Sequence, residues 1–146
     1  MTDIPNVNTE EIEIFKRVAQ SGSDGPVFML NLNKYSADAK FPDGRLYKDY
    51  MAVLSTLIAQ VGGKVLWRTD VLGHVVGRQD IDEAIGIWYP THQAFLNLTT
   101  APASSENMKL RTLAVAHADL HRCAPYSLVE REWPLLAVVE KLDHGR

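Results

Sequence analysis

Val27-Phe28-Met29-Leu30-Asn31-Leu32-Asn33 is the stretch that decides the reading of the fold. Side chains alternate across a β-strand, so Val27, Met29, Asn31 and Asn33 share one face, and Phe28, Leu30 and Leu32 share the other. The second set is wholly apolar and is the expected core face. Two amides at the end of an otherwise apolar strand mark a small polar site or an edge that meets another chain.

Working outward, the cluster Ser21-Gly22-Ser23-Asp24-Gly25-Pro26 breaks the chain before this strand. Upstream of it, residues 8–20 predict a short amphipathic helix. Asn8 is placed to cap it, with Glu11 three residues on as in a capping box, and Ile12, Phe15 and Ala19 follow at helical spacing. Downstream, Tyr35 to Arg45 reads as a polar loop with a turn at Pro42-Asp43-Gly44. From Leu46 to Val61, the residues Tyr47, Tyr50, Met51, Leu54, Leu57, Ile58 and Val61 form one apolar stripe, stopped by Gly62-Gly63.

Lys64 to Asp70 predicts a second strand, with Val65, Trp67 and Thr69 on one face and Leu66 and Arg68 on the other. Leu72 to Gly77 continues it or pairs beside it. Arg78 to Asp82 is a polar connection. Glu83 to Tyr89 predicts a third strand, which Pro90 ends for want of an amide hydrogen. Thr91 then caps a helix holding Ala94, Phe95 and Leu98. After Pro102 a second helical piece runs from about 103 to 116, with Leu110, Leu113 and Ala114 at helical spacing. His117 to Ala124 is the fourth strand, closed by Pro125.

The order strand, helix, strand, strand, helix, strand is the split βαβ arrangement. The expected class is therefore α+β: a ferredoxin-like (βαββαβ) domain over residues 25–125, with a four-stranded antiparallel sheet. It carries an N-terminal helical extension (1–24) and a C-terminal arm (126–146). Two helices cover one sheet face. Val27, Met29, Val65 and Trp67 are candidates for the other, which a homodimer would bury by packing two sheets together. The segment from Glu130 to Leu142 reads either as an arm clasping the neighbouring subunit or as a tail helix on its own domain.

Composition narrows the function classes. The 146 residues are 46% hydrophobic and 23% charged, as in a soluble globular protein. A net charge of -3 and the lack of a basic patch argue against nucleic acid as a partner. No apolar run approaches the ~20 residues of a membrane span. The start, Met1 to Asn6, lacks the regions of a signal peptide. Cys123 is the single cysteine and reads as a small apolar filler. Together these predict a cytoplasmic protein.

Particular residues carry a resemblance. Gly25-Pro26-Val27-Phe28-Met29-Leu30-Asn31-Leu32 resembles the opening of an uncharacterised bacterial family, domain-of-unknown-function family 1330 (DUF1330). Gly62-Gly63-Lys64-Val65-Leu66-Trp67-Arg68 is similar to its second strand. Asp82-Glu83-Ala84, Tyr89-Pro90-Thr91 and Ala94-Phe95 resemble its third strand and following helix, and His121-Arg122-Cys123 its last strand. The resemblance spans Gly25 to Cys123. It implies a dimeric α+β barrel, whose wider relatives include cofactor-independent monooxygenases, polyketide cyclases, haem-handling enzymes and stress proteins. Fold therefore does not settle function. No catalytic residue carries over, because no superfamily catalytic motif is matched.

The residues themselves argue against several chemistries. Five histidines offer no metal set: His117 and His121 lie on one strand face roughly 13 Å apart. Neither a metal nor another cofactor is expected. Asp82 and Glu83 are adjacent, face opposite ways, and read as a solvated turn, with Asp82 able to pair with Arg68 or Arg78. There is no phosphate loop and no serine in a strand-to-helix elbow. What remains is a mixed pocket of Asn31, Asn33, Trp67, Arg68 and Tyr89. The amides and the guanidinium orient a carbonyl or carboxylate, and the rings form walls. Two readings stay open: an enzyme acting on a small polar or aromatic metabolite without metal or nucleotide (monooxygenase-, isomerase- or cyclase-like), or a non-catalytic ligand-binding or structural, stress-related dimer.

Overall fold

The computed structural model describes residues 4–125. Its elements run α1 (Thr9–Gln20), β1 (Val27–Tyr35), α2 (Arg45–Gln60), β2 (Lys64–Asp70), β3 (Glu83–Tyr89), α3 (His92–Leu96), α4 (Ser104–Ala114) and β4 (Val115–Cys123). The four strands form one antiparallel sheet in the order β2-β3-β1-β4. This is the expected α+β, ferredoxin-like arrangement. No helix among the described residues is long and apolar enough to cross a membrane. The segment from Glu130 to Leu142, for which an arm or a tail helix was expected, lies outside the described residues.

Local chemistry sets the helix ends. Asn8 Oδ1 accepts from the backbone N–H groups of Glu10 (3.1 Å) and Glu11 (3.4 Å), which fixes the start of α1. The Glu11 side chain does not return the favour of a capping box. It reaches across to Arg122 on β4 at 2.6 and 3.2 Å. Gly62, at φ 82°, lets the chain reverse after α2. The N–H groups of Gly62 and Gly63 then satisfy the carbonyls of Ala59 and Ile58. Thr91 Oγ1 caps α3 by accepting from Ala94 N–H at 3.0 Å.

The two faces of β1 are the reverse of the expectation. Val27 and Met29 join Phe15, Ile58, Ile85, Ile87, Tyr89, Ala94 and Phe95 in the core beneath the helices. Asn31, Asn33 and Tyr35 continue that inner face, because β1 pairs Val27, Met29, Asn31 and Asn33 with Tyr89, Ile87, Ile85 and Glu83. Phe28, Leu30 and Leu32 lie on the outer face with Trp67 and Trp88. The apolar count of a strand misleads when a polar inner residue finds a buried partner, as Asn33 does in Tyr35.

A bulge in β2 accounts for a second correction. Val65 pairs with Ile87 and Trp67 with Gly86, leaving Leu66 without an opposite residue. The extra residue shifts the alternation, so Val65 and Arg68 share the inner face while Trp67 stands on the outer one. A third correction concerns Leu72 to Gly77. It is an exposed loop rather than a strand, with Leu72, Val75 and Val76 more than nine-tenths exposed.

Candidate functional site

The inner face of the sheet carries one buried carboxylate. Glu83, the first residue of β3, is 1% exposed. Tyr35 Oη donates to its Oε1 at 2.6 Å, and Tyr47 Oη lies 2.9 and 3.0 Å from its two oxygens. Arg68 reaches Oε2 through Nε at 3.2 Å and Nη2 at 3.1 Å. The same Nη2 donates to Tyr47 Oη at 2.6 Å, and Asn33 Nδ2 donates to Tyr35 Oη at 3.2 Å. Hydrogens therefore run in one direction, from Asn33 and Arg68 through two phenols to a single acceptor.

The fold dictates this convergence. Asn33 and Glu83 are directly opposite on β1 and β3. Tyr35 lies two residues along from Asn33 on the same face. Arg68 sits opposite Ile85, diagonal to Glu83 and within reach of a long side chain. Tyr47 comes down from the first turn of α2. Burial first, and then the charge and hydrogen bonding of Glu83, push both phenols well above the usual tyrosine range, so they stay protonated donors. For Arg68, burial works against the charge, but Glu83 beside it outweighs this and raises its pKa.

Beside this hub opens a cavity of about 1450 Å³ between the sheet and α1, α2 and α4. Its walls are largely apolar, with Ile12, Phe15, Met29, Leu54, Leu57 and Ile87 among them. Its less exposed polar groups include Asn31 and Asn33 from β1, Tyr50 from α2, and Asn107 and Arg111 from α4, while exposed ones such as Asn8, Lys109, His121 and Arg122 also line it. Asn107 and Arg111 are four residues apart and so share one helix face. The Oδ1 atoms of Asn31 and Asn107 are both buried without a hydrogen-bond partner. The Tyr50 hydroxyl is buried, which raises its pKa, with the Arg111 guanidinium beside it pulling the other way.

The five sequence-predicted site residues separate. Asn31, Asn33 and Tyr89 line the cavity. Arg68 is on the same sheet face but belongs to the Glu83 hub, and it edges a smaller hollow of about 130 Å³. Trp67 joins neither. Its ring packs near Phe28 on the outer face, centroids 6.2 Å apart. Glu83 is not the solvated turn expected of it, and it is Glu83, not Asp82, that pairs with Arg68. Asp82 instead accepts from Tyr35 N–H at 2.9 Å and pairs with Lys34. No cluster of metal-ligating side chains occurs among the described residues.

Glu83, Tyr47, Asn107 and Arg111 were missed by the sequence reading. Signals for them exist. Glu83 is in phase with Ile85, Ile87 and Tyr89, and Asn107, Arg111 and Ala114 follow helical spacing. The stripe expected on α4 included Leu113, which is 60% exposed, whereas Ala114 is fully buried.

No family model matches the sequence, and no curated protein matches it. Solved structures do. A protein of unknown function from Rhodopseudomonas palustris is 26% identical, with a TM-score of 0.67, covering 85% of this chain and 98% of its own. Its methylated form gives 27% identity, the same TM-score, and coverage of 89% and 100%. A Dabb-family protein with a ferredoxin-like fold from Mesorhizobium loti is similar at a TM-score of 0.53 and 8% identity, covering 70% of this chain and 99% of its own. A hydroxynitrile lyase from Passiflora edulis gives a TM-score of 0.52 at 16% identity, over 75% and 98% of the two chains. The last two share the fold with this protein and nothing finer.

Proposed function

We propose that this chain binds a small, mostly apolar metabolite in the cavity between sheet and helices, without a metal or nucleotide cofactor. The observation that carries the reading is the pair of unused acceptors, Asn31 Oδ1 and Asn107 Oδ1, in a largely apolar wall. A buried acceptor without a donor costs about 1–3 kcal/mol. The amide torsion of asparagine is broad, so a small rotation turns either oxygen toward a ligand's O–H or N–H. Neither amide oxygen serves the backbone, which favours a ligand site over a purely structural role.

Around this site we place the remaining expectations. Residues 25–125 are the ferredoxin-like unit and 1–24 its helical extension, and the arm expected over 126–146 lies outside the described residues. The quoted motifs support membership of DUF1330. The outer sheet face, with Phe28, Leu30, Leu32, Trp67 and Trp88, supports a homodimer closed as an α+β barrel. Binding is favoured over catalysis, because the buried carboxylate, Glu83, is already committed to three donors.

A thermal-shift screen of metabolites, followed by turnover assays on the hits, tests the reading. Asn31→Ala should leave stability within about 0.5 kcal/mol while weakening every hit. A strongly destabilised variant with unaltered affinity would make Asn31 a structural residue and remove the proposal's centre.

A further inference from the structure

Two arginines line the cavity, and they differ in one respect. Arg122 is neutralised by the Glu11 carboxylate at 2.6 and 3.2 Å. Arg111 is half-buried, and no carboxylate pairs with it among the described residues. Its position in the last turn of α4 suits a cation, since the helix dipole ends there. That does not explain why it lines an apolar hollow one turn beyond Asn107, a residue 7% exposed whose amide oxygen has no partner. Beside Arg111 is the Tyr50 hydroxyl, itself a donor.

We infer that the cavity selects an apolar carboxylic acid that also carries a hydroxyl or N–H donor: Arg111 takes the carboxylate, and Asn107 accepts from the donor. The complementarity is complete in kind. A guanidinium with no carboxylate partner among the described residues fits a ligand carboxylate in bidentate fashion. Tyr50 offers that carboxylate a further donor. The free amide oxygen of Asn107 requires a donor that a plain fatty or aromatic acid lacks. The remaining walls, Met29, Leu54, Leu57 and Ile87, receive the apolar body. This inference rests on the ligand-binding reading above and specifies its ligand class.

The test uses 4-hydroxy-2-naphthoate, whose hydroxyl is too far from the carboxylate to bond to it, its methyl ester, 2-naphthoate and 2-naphthol, titrated into the full-length protein by calorimetry and naphthalene fluorescence. On the native protein, the hydroxy acid should bind more tightly than its ester by on the order of tenfold to a hundredfold, the size of a hydrogen-bonded charge. Arg111→Gln should abolish that preference at an unchanged melting temperature, and Arg111→Lys should keep part of it. Asn107→Leu should erase the preference for 4-hydroxy-2-naphthoate over 2-naphthoate. Equal binding of acid and ester by the native protein overturns the inference whether or not the variants fold. So does an Arg111→Gln variant that still prefers the acid. In both cases binding of 2-naphthol leaves the cavity reading standing, whereas failure of all four probes removes the cavity reading as well.

Discussion

Replacing Glu83 by alanine strips one acceptor from three donors at once. Tyr35 and Tyr47 lose the oxygen to which their hydroxyls point, at 2.6 and 2.9 Å, and Arg68 loses the only carboxylate that pairs with it among the described residues. Each buried hydroxyl left unsatisfied costs about 1–3 kcal/mol. Breaking a buried ion pair from one side costs about 3–5 kcal/mol, but the Arg68 side chain is 45% exposed and water recovers much of that term. The hydroxyl oxygens keep the hydrogen bonds they accept from Arg68 and Asn33. The expected net loss is about 3–5 kcal/mol, a large share of a typical stability of about 5–15 kcal/mol. For a domain of this size that lowers the melting temperature by roughly 10–20 °C. Urea unfolding followed by tryptophan fluorescence measures it, with an unchanged slope confirming that the native state is otherwise intact. Glu83→Gln keeps the shape and one acceptor, so it should fall between alanine and the native protein. A loss below about 1 kcal/mol for Glu83→Ala would refute the reasoning, because it would mean that the two phenols and the guanidinium are satisfied without the carboxylate.

Three further outcomes follow from the structure. Asp24 accepts from the backbone N–H groups of Gly25, His92 and Gln93 and from the His92 ring; burial opposes its charge, but these bonds outweigh burial and hold its pKa below the ordinary 3.8. Because the folded pKa is the lower one, its stabilisation is complete above that ordinary value and fades as pH falls through the folded value. Asp24→Ala should therefore cost about 1 kcal/mol at neutral pH and progressively less in acid, and a pH-independent gap in urea titrations would contradict the capping role. A Cβ at Gly86 would come within 2.5 Å of the Trp67 ring, so Gly86→Ala should cost about 1–3 kcal/mol and be relieved by adding Trp67→Leu, as read from double-mutant unfolding. Trp67→Glu, on the outer face, should convert a dimer to monomer in sedimentation velocity; an unaltered dimer would place the interface elsewhere.

The element order was legible because each segment keeps one period: two in the strands, three to four in α2, with glycine and proline between them. The faces were not. Counting apolar residues in β1 favoured Phe28, Leu30 and Leu32, but a sheet packed on one side by helices and carrying aromatic rings on the other is apolar on both. Of the polar inner residues, Asn33 and Glu83 are affordable there because Tyr35, Tyr47 and Arg68 converge on them from β1, α2 and β2. That convergence is a tertiary fact with no local spacing. Asn31 and Tyr89 were found because they end or follow apolar runs on the inner face. Trp67 was misplaced by a single unpaired residue, Leu66, which leaves no mark in composition.

That unpaired residue has a bearing on how such a chain can vary in length. Leu66 stands opposite nothing on β3, so its loss would leave Val65 and Trp67 as consecutive members of a regular ladder, each still facing its present partner. Arg68 would keep its approach to Glu83, and the indole would keep its seat over Gly86. An insertion one step later, between Trp67 and Arg68, has the opposite effect and carries the guanidinium to the far side of the sheet. Position 66 is thus the place in this strand where a lineage can drop a codon without dismantling the Glu83 hub.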